Sequence, residues 1–238
     1  MSKFLQLLPW DSEFLGFSVG RLLSTTPVAE LPALLEQARQ DGYRLLNWAV
    51  PPEDAAANAA ACAAGGFLAD EKITYAMRIE EVPTELPAGV QPTTTLTSQL
   101  TALALQAGHR SRYQTDPRFE RDVYQRLYSL WIANSLEGEM AREVLVFRPD
   151  ASAAEAGLLT LGIKNTRADI GLLAVDAQVR GQAIGARLLT AARQRTRAWG
   201  FDALQVVTQR ANVGACRFYE RCGFTPDVVE NIYHLWLY

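Results

Sequence analysis

Two short stretches carry residue patterns that chemistry can use. The first is VRGQAIGARLL, Val179 to Leu189, which follows the apolar run LLAV and leads into an amphipathic pattern. A glycine turn that opens a helix leaves the first amide N–H groups without intrahelical acceptors, and the aligned peptide dipoles add partial positive charge there. Such a turn holds an anion, most simply a phosphate; it is also the shape of an ordinary strand-to-helix connection. The second stretch is HRSRYQTDPRFER, in which Arg110, Arg112, Arg118 and Arg121 gather around Tyr113 and Asp116. Guanidinium groups can meet a diphosphate while an aromatic ring stacks on a base or sugar. A solvated loop followed by a charged helix start would read the same way.

Whole-chain properties narrow the ligands. The 238 residues, 49% hydrophobic and 21% charged, have ordinary globular composition and room for one large domain or two small ones. A net charge of −3 and a pI near 5.5 give no global basic field, so nucleic acid is not expected as a partner and an anionic ligand has to be held locally. Three cysteines, Cys62, Cys216 and Cys222, form no CxxC pair and leave one over from any disulfide, which suits the cytoplasm. The N-terminus turns acidic at Asp11 and Glu13, and no apolar run approaches the ~18 residues of a membrane span. His109 and His234 lack ligand spacing, so no metal site is expected. Neither a P-loop nor a GxGxxG fingerprint is present.

Hydrophobic periodicity outlines the elements that position these stretches. From Phe17 to Ile79, the strands FSVGRLLS, YRLLNWAV and ITYAMRI alternate with the helices PVAELPALLEQARQDG and PPEDAAANAAACAAGGF. Glu80 to Thr95 holds three prolines and little periodicity. The expected organisation is therefore a small α/β unit over 1–82, a linker over 83–95 and a second domain over 96–238, with the first too small to stand alone. The second domain opens with the helix TSQLTALALQAG and a helix from Phe119, whose buried stripe reads Val123, Leu127, Leu130, Trp131. Three strands follow as a meander, REVLVFRP, EAGLLTLGIK and DIGLLAV; then a helix from Ile184 to Trp199 and the strand ALQVVTQ. A helix capped by Asn212 and stopped by Gly223 precedes VENIYHLWLY, a last strand that is either internal or an interface between copies. The fold class is α+β, close to α/β: a mixed central sheet flanked by helices. No repeat is visible.

The run LLAV into RGQAIG, followed after the next strand by Asn212 and by FYERCGF, resembles the GNAT superfamily of acetyl-CoA-dependent N-acetyltransferases over Val144 to Tyr238. In its turn pattern, [QR]-x-x-G-x-[GA], Arg180, Ala183 and Gly185 take the defining positions, with Ala183 where glycine is usual. The resemblance implies that Arg180, Gly181, Gln182, Ala183, Ile184 and Gly185 hold the pyrophosphate of acetyl-CoA. It also implies that Leu173, Ala174 and Val175 pair with the pantetheine arm, where DIGLLAV and the parallel ALQVVTQ splay apart, and that an N–H near Ala174 or Val175 steadies the oxyanion. Asn212 would contact the coenzyme and Tyr219 would protonate the departing thiolate, a transfer uphill by roughly 2 kcal/mol from reference pKa values. The base is left open among His109, Asp116 and a water chain. Cys216 and Cys222 have no histidine nearby in sequence, which favours direct attack over an acetyl-cysteine. Ala183 is expected at negative φ, since the left-handed region costs a residue with a β-carbon roughly 1–2 kcal/mol.

LPWDSEFLGFSVGRL and the stretch from His109 to Leu136 are similar to the TDP-fucosamine acetyltransferases within that superfamily. This implies a small GNAT-like N-terminal subdomain and, as acceptor, the 4-amino group of a dTDP-4-amino-4,6-dideoxyhexose destined for surface polysaccharide, with Arg110, Arg112, Tyr113 and Asp116 as candidate contacts. The rival readings are a GNAT enzyme for another amine (a protein N-terminus, polyamine or antibiotic) and a non-catalytic acyl-CoA-binding module.

Overall fold

Periods of 2 and 3.6 divide the chain into strands and helices, and the computed structural model describes them for residues 3–80, 85–150 and 153–238. The first half runs β1 (Leu5–Leu7), α1 (Pro9–Leu15), β2 (Ser18–Leu22), α2 (Leu31–Gln40), β3 (Tyr43–Val50), α3 (Ala55–Ala63) and β4 (Phe67–Arg78). The second runs β5 (Val90–Pro92), α4 (Ser98–Ala107), α5 (Arg112–Thr115), α6 (Val123–Leu136), β6 (Glu143–Phe147), β7 (Gly157–Lys164) and β8 (Arg167–Val175). It closes with α7 (Ile184–Ala198), β9 (Ala203–Gln209), α8 (Val213–Arg221) and β10 (Thr225–Trp236).

All ten strands join one sheet in the order β1-β2-β3-β10-β4-β9-β8-β7-β6-β5. The last strand is internal: β10 lies between β3 and β4, antiparallel to both. Ile232, Tyr233, His234 and Leu235 are consecutive and buried, the pattern of a strand covered on both faces. The two expected units thus share a single sheet. Within the expected linker, Val90–Pro92 pairs with β6, while Pro83 and Thr84 lie outside the described residues.

A repeat that the sequence hides emerges from the registers. α3 and α8 begin at Ala55 and Val213, β4 and β10 at Phe67 and Thr225, and α2 and α7 end at Gln40 and Ala198, each pair 158 positions apart. Asp54 caps α3 on the Ala57 amide, and Asn212, 158 residues later, caps α8 on the Ala215 amide. Leu45 faces Trp236 across β3 and β10, while Ala203 faces Arg78 across β9 and β4, so the same offset carries one pairing into the other with the outer strands exchanged. Tyr233 and Tyr75 are equivalent, and each hydroxyl donates to the opposite half's helix, to Asn58 at 2.9 Å and to Glu220 at 2.8 Å.

Helices cover both faces of the second half. α7 and α8 pack Ile184, Leu188, Leu189 and Tyr219 against Leu159, Ile170 and Val206. On the opposite face α4 and α6 pack Leu100, Leu103, Leu127 and Ile132 against Val146, Leu158 and Leu172. The α6 stripe differs from expectation: Leu130 is 38% exposed, and Tyr124 and Tyr128 share the buried face with Leu127 and Ile132. At about 100° per residue Leu130 stands about 120° round from Tyr124, which takes it off that face.

Candidate active site

The site begins where β8 leaves β9. The two strands are parallel and paired only over Ala168–Ile170 and Leu204–Val206. On the other edge of β8 the register to β7 shifts, with Thr160 opposite Leu172 and Leu161 opposite Ile170, so Gly171 is an extra residue. Thr160 Oγ1 accepts the Leu172 N–H at 2.8 Å and holds this bulge, and bulges bend the strand that carries them. A β-carbon on Gly171 would stand 2.9 Å from the same hydroxyl. Beyond the bulge, Leu173 to Val175 stay paired with β7 and turn their free edge to a cleft of about 710 Å³.

The N-terminal ends of α7 and α8 close that cleft. Gly181, Ala183, Ile184, Gly185 and Ala186 line it from one side, and Asn212, Phe218, Tyr219 and Arg221 from the other. The α4–α5 turn adds His109 and Arg110. The first α7 amide to reach an acceptor inside the helix is that of Arg187, to the Ala183 carbonyl at 3.0 Å. The amides of Ile184 to Ala186 therefore have no intrahelical partner. Nineteen residues line the cleft, three of them arginines (Arg110, Arg180, Arg221) and none a carboxylate. Such a lining favours a polyanion.

Two expectations about the turn need correction. Ala183 has φ 58° and ψ 14°, left-handed rather than negative, and stands as the helix cap without a side-chain cap bond. Entry into α7 directly from an extended Arg180 (φ −61°, ψ 158°) requires a left-handed reversal, which Gly181 shares at φ 84°. Glycine would make it freely; alanine carries roughly 1–2 kcal/mol of strain. Gln182 is exposed and does not line the cleft, because this reversal carries it to the outside of the turn. Gly185 answers to packing: a β-carbon there would meet the Phe218 ring at 3.0 Å, so the two helix ends approach only around a bare α-carbon. Arg180 donates through Nε to the Val175 carbonyl at 3.1 Å and through a terminal nitrogen to Gln106 at 3.3 Å, tying the turn to β8 and α4.

Tyr219 lines the cleft while only 5% exposed, among the rings of Tyr75, Phe218 and Phe224. Burial, with Cys216 and Cys222 beside it, raises its pKa and keeps the phenol protonated across the working range.

The basic stretch divides. Arg112 and Tyr113 line a second cavity of about 210 Å³ with Trp10, Asp11, Trp131 and Asn134. Arg118 and Arg121 line neither cavity. Asp116, expected as an acceptor contact or base, is a correction: its side chain is fully buried and lines neither cavity. It accepts from His234 Nδ1 at 2.7 Å, from Trp236 Nε1 at 2.9 Å and from the Arg118 amide and Nε, clasping the α5–α6 connection to β10. Burial would raise this carboxyl, but those donors outweigh it and hold the pKa at about 2. Burial lowers the His234 pKa, so the ring is neutral and Nδ1–H is the donor.

The acetyltransferase (GNAT) family model matches residues 103–224, slightly more than half of the chain. The chain belongs to the GNAT acetyltransferase family. This GNAT acyltransferase is 29% identical to the dTDP-fucosamine acetyltransferase of Escherichia coli O6:H1, over 98% of its own length and 97% of that protein's. It is 28% identical to the spore coat polysaccharide biosynthesis protein SpsD of Bacillus subtilis (strain 168), over 59% of its length and about half, 47%, of that protein's. The crystal structure of a GCN5-related N-acetyltransferase from Sphaerobacter thermophilus superposes with a TM-score of 0.63 at 14% identity, covering 98% of this chain and 76% of the other.

The GNAT fold brings in one ionisable group from the first half that the sequence did not mark. Asp70, on β4, is pushed up to about 7, chiefly by burial, with Arg112, Gln209 and Lys72 pulling the other way. Gln209 ends β9, and its carbonyl takes the Asn212 amide at 2.8 Å, so Asp70 lies beside the end of β9, outside the lining of either cavity. Arg112 joins Asp70 to Asp11 and Tyr113: burial works against its charge, and those three neighbours keep it protonated. No spacing in the sequence links residues 11, 70 and 112; only the sheet does.

Proposed function

We propose that this GNAT acyltransferase transfers the acetyl group of acetyl-CoA to the 4-amino group of a dTDP-4-amino-4,6-dideoxyhexose, by direct attack. The cleft carries the reading: free amides, three arginines, no carboxylate and a buried phenol converge at the splayed end of β8. The full-length similarity to a dTDP-fucosamine acetyltransferase supports the acceptor class.

Acetyl-CoA supplies the acyl group as a thioester. The amides of Ile184, Gly185 and Ala186, at the positive end of α7, hold its pyrophosphate, and the Arg180 and Arg221 side chains add charge. Leu173 to Val175 extend the sheet to its amide-bearing arm, with an N–H near Ala174 or Val175 turned to the acyl oxygen. As the amine nitrogen bonds the acyl carbon and the carbon–sulfur bond breaks, Tyr219 gives its proton to sulfur. Burial raises the tyrosine pKa, so the phenol still carries its proton when the sulfur departs. Asp70, ionised above about pH 7, takes the surplus amine proton through water, and proton return to Tyr219 completes the cycle. The products are the N-acetyl sugar and free thiol.

The substrates of this reaction place it in the cytoplasm, where Cys62, Cys216 and Cys222 stay free. Mass spectrometry after incubation with acetyl-CoA and each dTDP-4-amino-4,6-dideoxyhexose epimer tests the reading. One added acetyl group on the nucleotide sugar is expected. Turnover of polyamines, antibiotics or peptide N-termini with none on these sugars would overturn it, and binding of acetyl-CoA without turnover of any amine would make the chain a binding module.

A further inference from the structure

We propose that the smaller cavity, between α1, α5 and α6, holds the sugar ring of the acceptor, next to the turn of chain that also borders the larger cleft. This assignment rests on the reaction proposed above.

At about 210 Å³ the cavity is smaller than the roughly 300–1,000 Å³ of pockets that enclose drug-sized ligands. It suits one ring of a nucleotide sugar, not the whole. Trp10, Tyr113 and Trp131 supply aromatic walls for the apolar face of a pyranose, and Asp11, Arg112 and Asn134 supply polar groups for its substituents. The polar groups are pre-set: the Tyr113 hydroxyl donates to Asp11 Oδ1 at 3.2 Å, and Arg112 donates to that hydroxyl at 3.2 Å. The carboxylate matters for an amine-bearing ring, because the larger cleft has none.

Position supports the same occupant. One turn of chain borders both cavities, with His109 and Arg110 on the larger and Arg112 and Tyr113 on the smaller. Trp131 reaches the bulge from the small-cavity side: a β-carbon on Gly171 would lie 3.5 Å from its Nε1. Two residues further along β8, Leu173 lines the large cleft. The two cavities thus differ in lining, the larger free of carboxylates and the smaller an aromatic pocket with an acid that suits an amino-sugar ring.

The test compares Michaelis constants in Trp10→Ala and Asn134→Ala. Trp10 is 43% exposed, so its removal leaves the fold standing. Each variant is expected to raise the KM for the dTDP-4-amino sugar about tenfold or more while the KM for acetyl-CoA stays within about twofold. Unchanged acceptor KM in both variants, or parallel rises for both substrates, would overturn the pocket while the reaction stands. Failure of the unsubstituted chain to acetylate any such sugar would overturn the reaction, and this assignment with it.

Discussion

The two halves of the sheet share one scaffold, yet the larger cleft lies in the second. Leu22 pairs with Trp48 in the first half and Ile170 with Val206 in the second, and Trp48 and Val206 are 158 apart. β2 stops at Leu22, whereas β8 runs on through the Gly171 bulge for five residues to Val175. α2 begins at Leu31, while α7 begins at Ile184, whose counterpart would be Thr26; Pro27 and Pro32 stand opposite Gly185 and Thr190, in the first two turns of α7. Tyr219 has as counterpart Ala61, fully buried, and Asn212 has Asp54. A carboxylate there serves equally as a cap but repels a phosphate. The cleft is lined by segments with no counterpart, the end of β8 and the glycine turn, and by α8 residues that differ from their counterparts in α3. The first half instead contributes Asp11 on α1 to the wall of the smaller cavity, and Asp70 on β4 beside the end of β9.

Substitutions can break or sharpen this contrast. The largest effect falls on Tyr219→Phe, expected to lower kcat about 10²–10⁴-fold while acetyl-CoA affinity stays within about twofold. Unchanged turnover would remove the functional distinction between Tyr219 and Ala61. Asp116→Ala severs the clasp between the α5–α6 connection and β10 and leaves His234 and Trp236 without their acceptor, at about 3–5 kcal/mol by denaturant titration. Its acid sensitivity has a definite sign: a lowered carboxyl contributes stability above its unfolded pKa of about 4, lost as pH falls toward about 2.

Asp70→Asn separates that residue's chemical role from its structural one. For the intact enzyme, kcat/KM should rise with pH through about 7, and that limb should vanish in the variant with at least tenfold lower activity at pH 8. Stability moves the other way. A raised carboxyl favours the folded state below its unfolded pKa and loses that contribution as pH climbs through about 7, so Asp70→Asn should be the more stable protein at pH 8, by about 1–2 kcal/mol. A flat pH profile in the parent enzyme would return Asp70 to a structural role alone. The smallest effect is Ala183→Gly, where relief of left-handed strain, partly offset by unfolded-chain entropy, should stabilise by up to about 1 kcal/mol with activity retained.

Much of the second half was legible because its signals are local. LLAV, RGQAIG, Asn212 and Tyr219 lie at fixed spacing along the chain and meet in one cleft. Gly171 was not, since a bulge depends on the register of the neighbouring strand. Ala183 misled because a β-carbon argues for negative φ, while the path from Arg180 into α7 overrides that preference. Asp116 read as a site residue because arginines surround it in sequence; only β10, more than a hundred residues away, shows what it binds. The hidden repeat is the extreme case, with Gly42 and Gly200, Gly65 and Gly223, and Tyr75 and Tyr233 among the few identities that keep its frame.

Asn212→Asp writes the first half's residue into the second and tests the account most directly. Aspartate caps a helix as well as asparagine does, so the melting temperature should hold within a few degrees. Titrating coenzyme A calorimetrically into the variant should show affinity at least about tenfold weaker than the parent, the penalty for one carboxylate set against the pyrophosphate. Equal affinity for both proteins would contradict the claim that the carboxylate-free ends of α7 and α8 are the donor site.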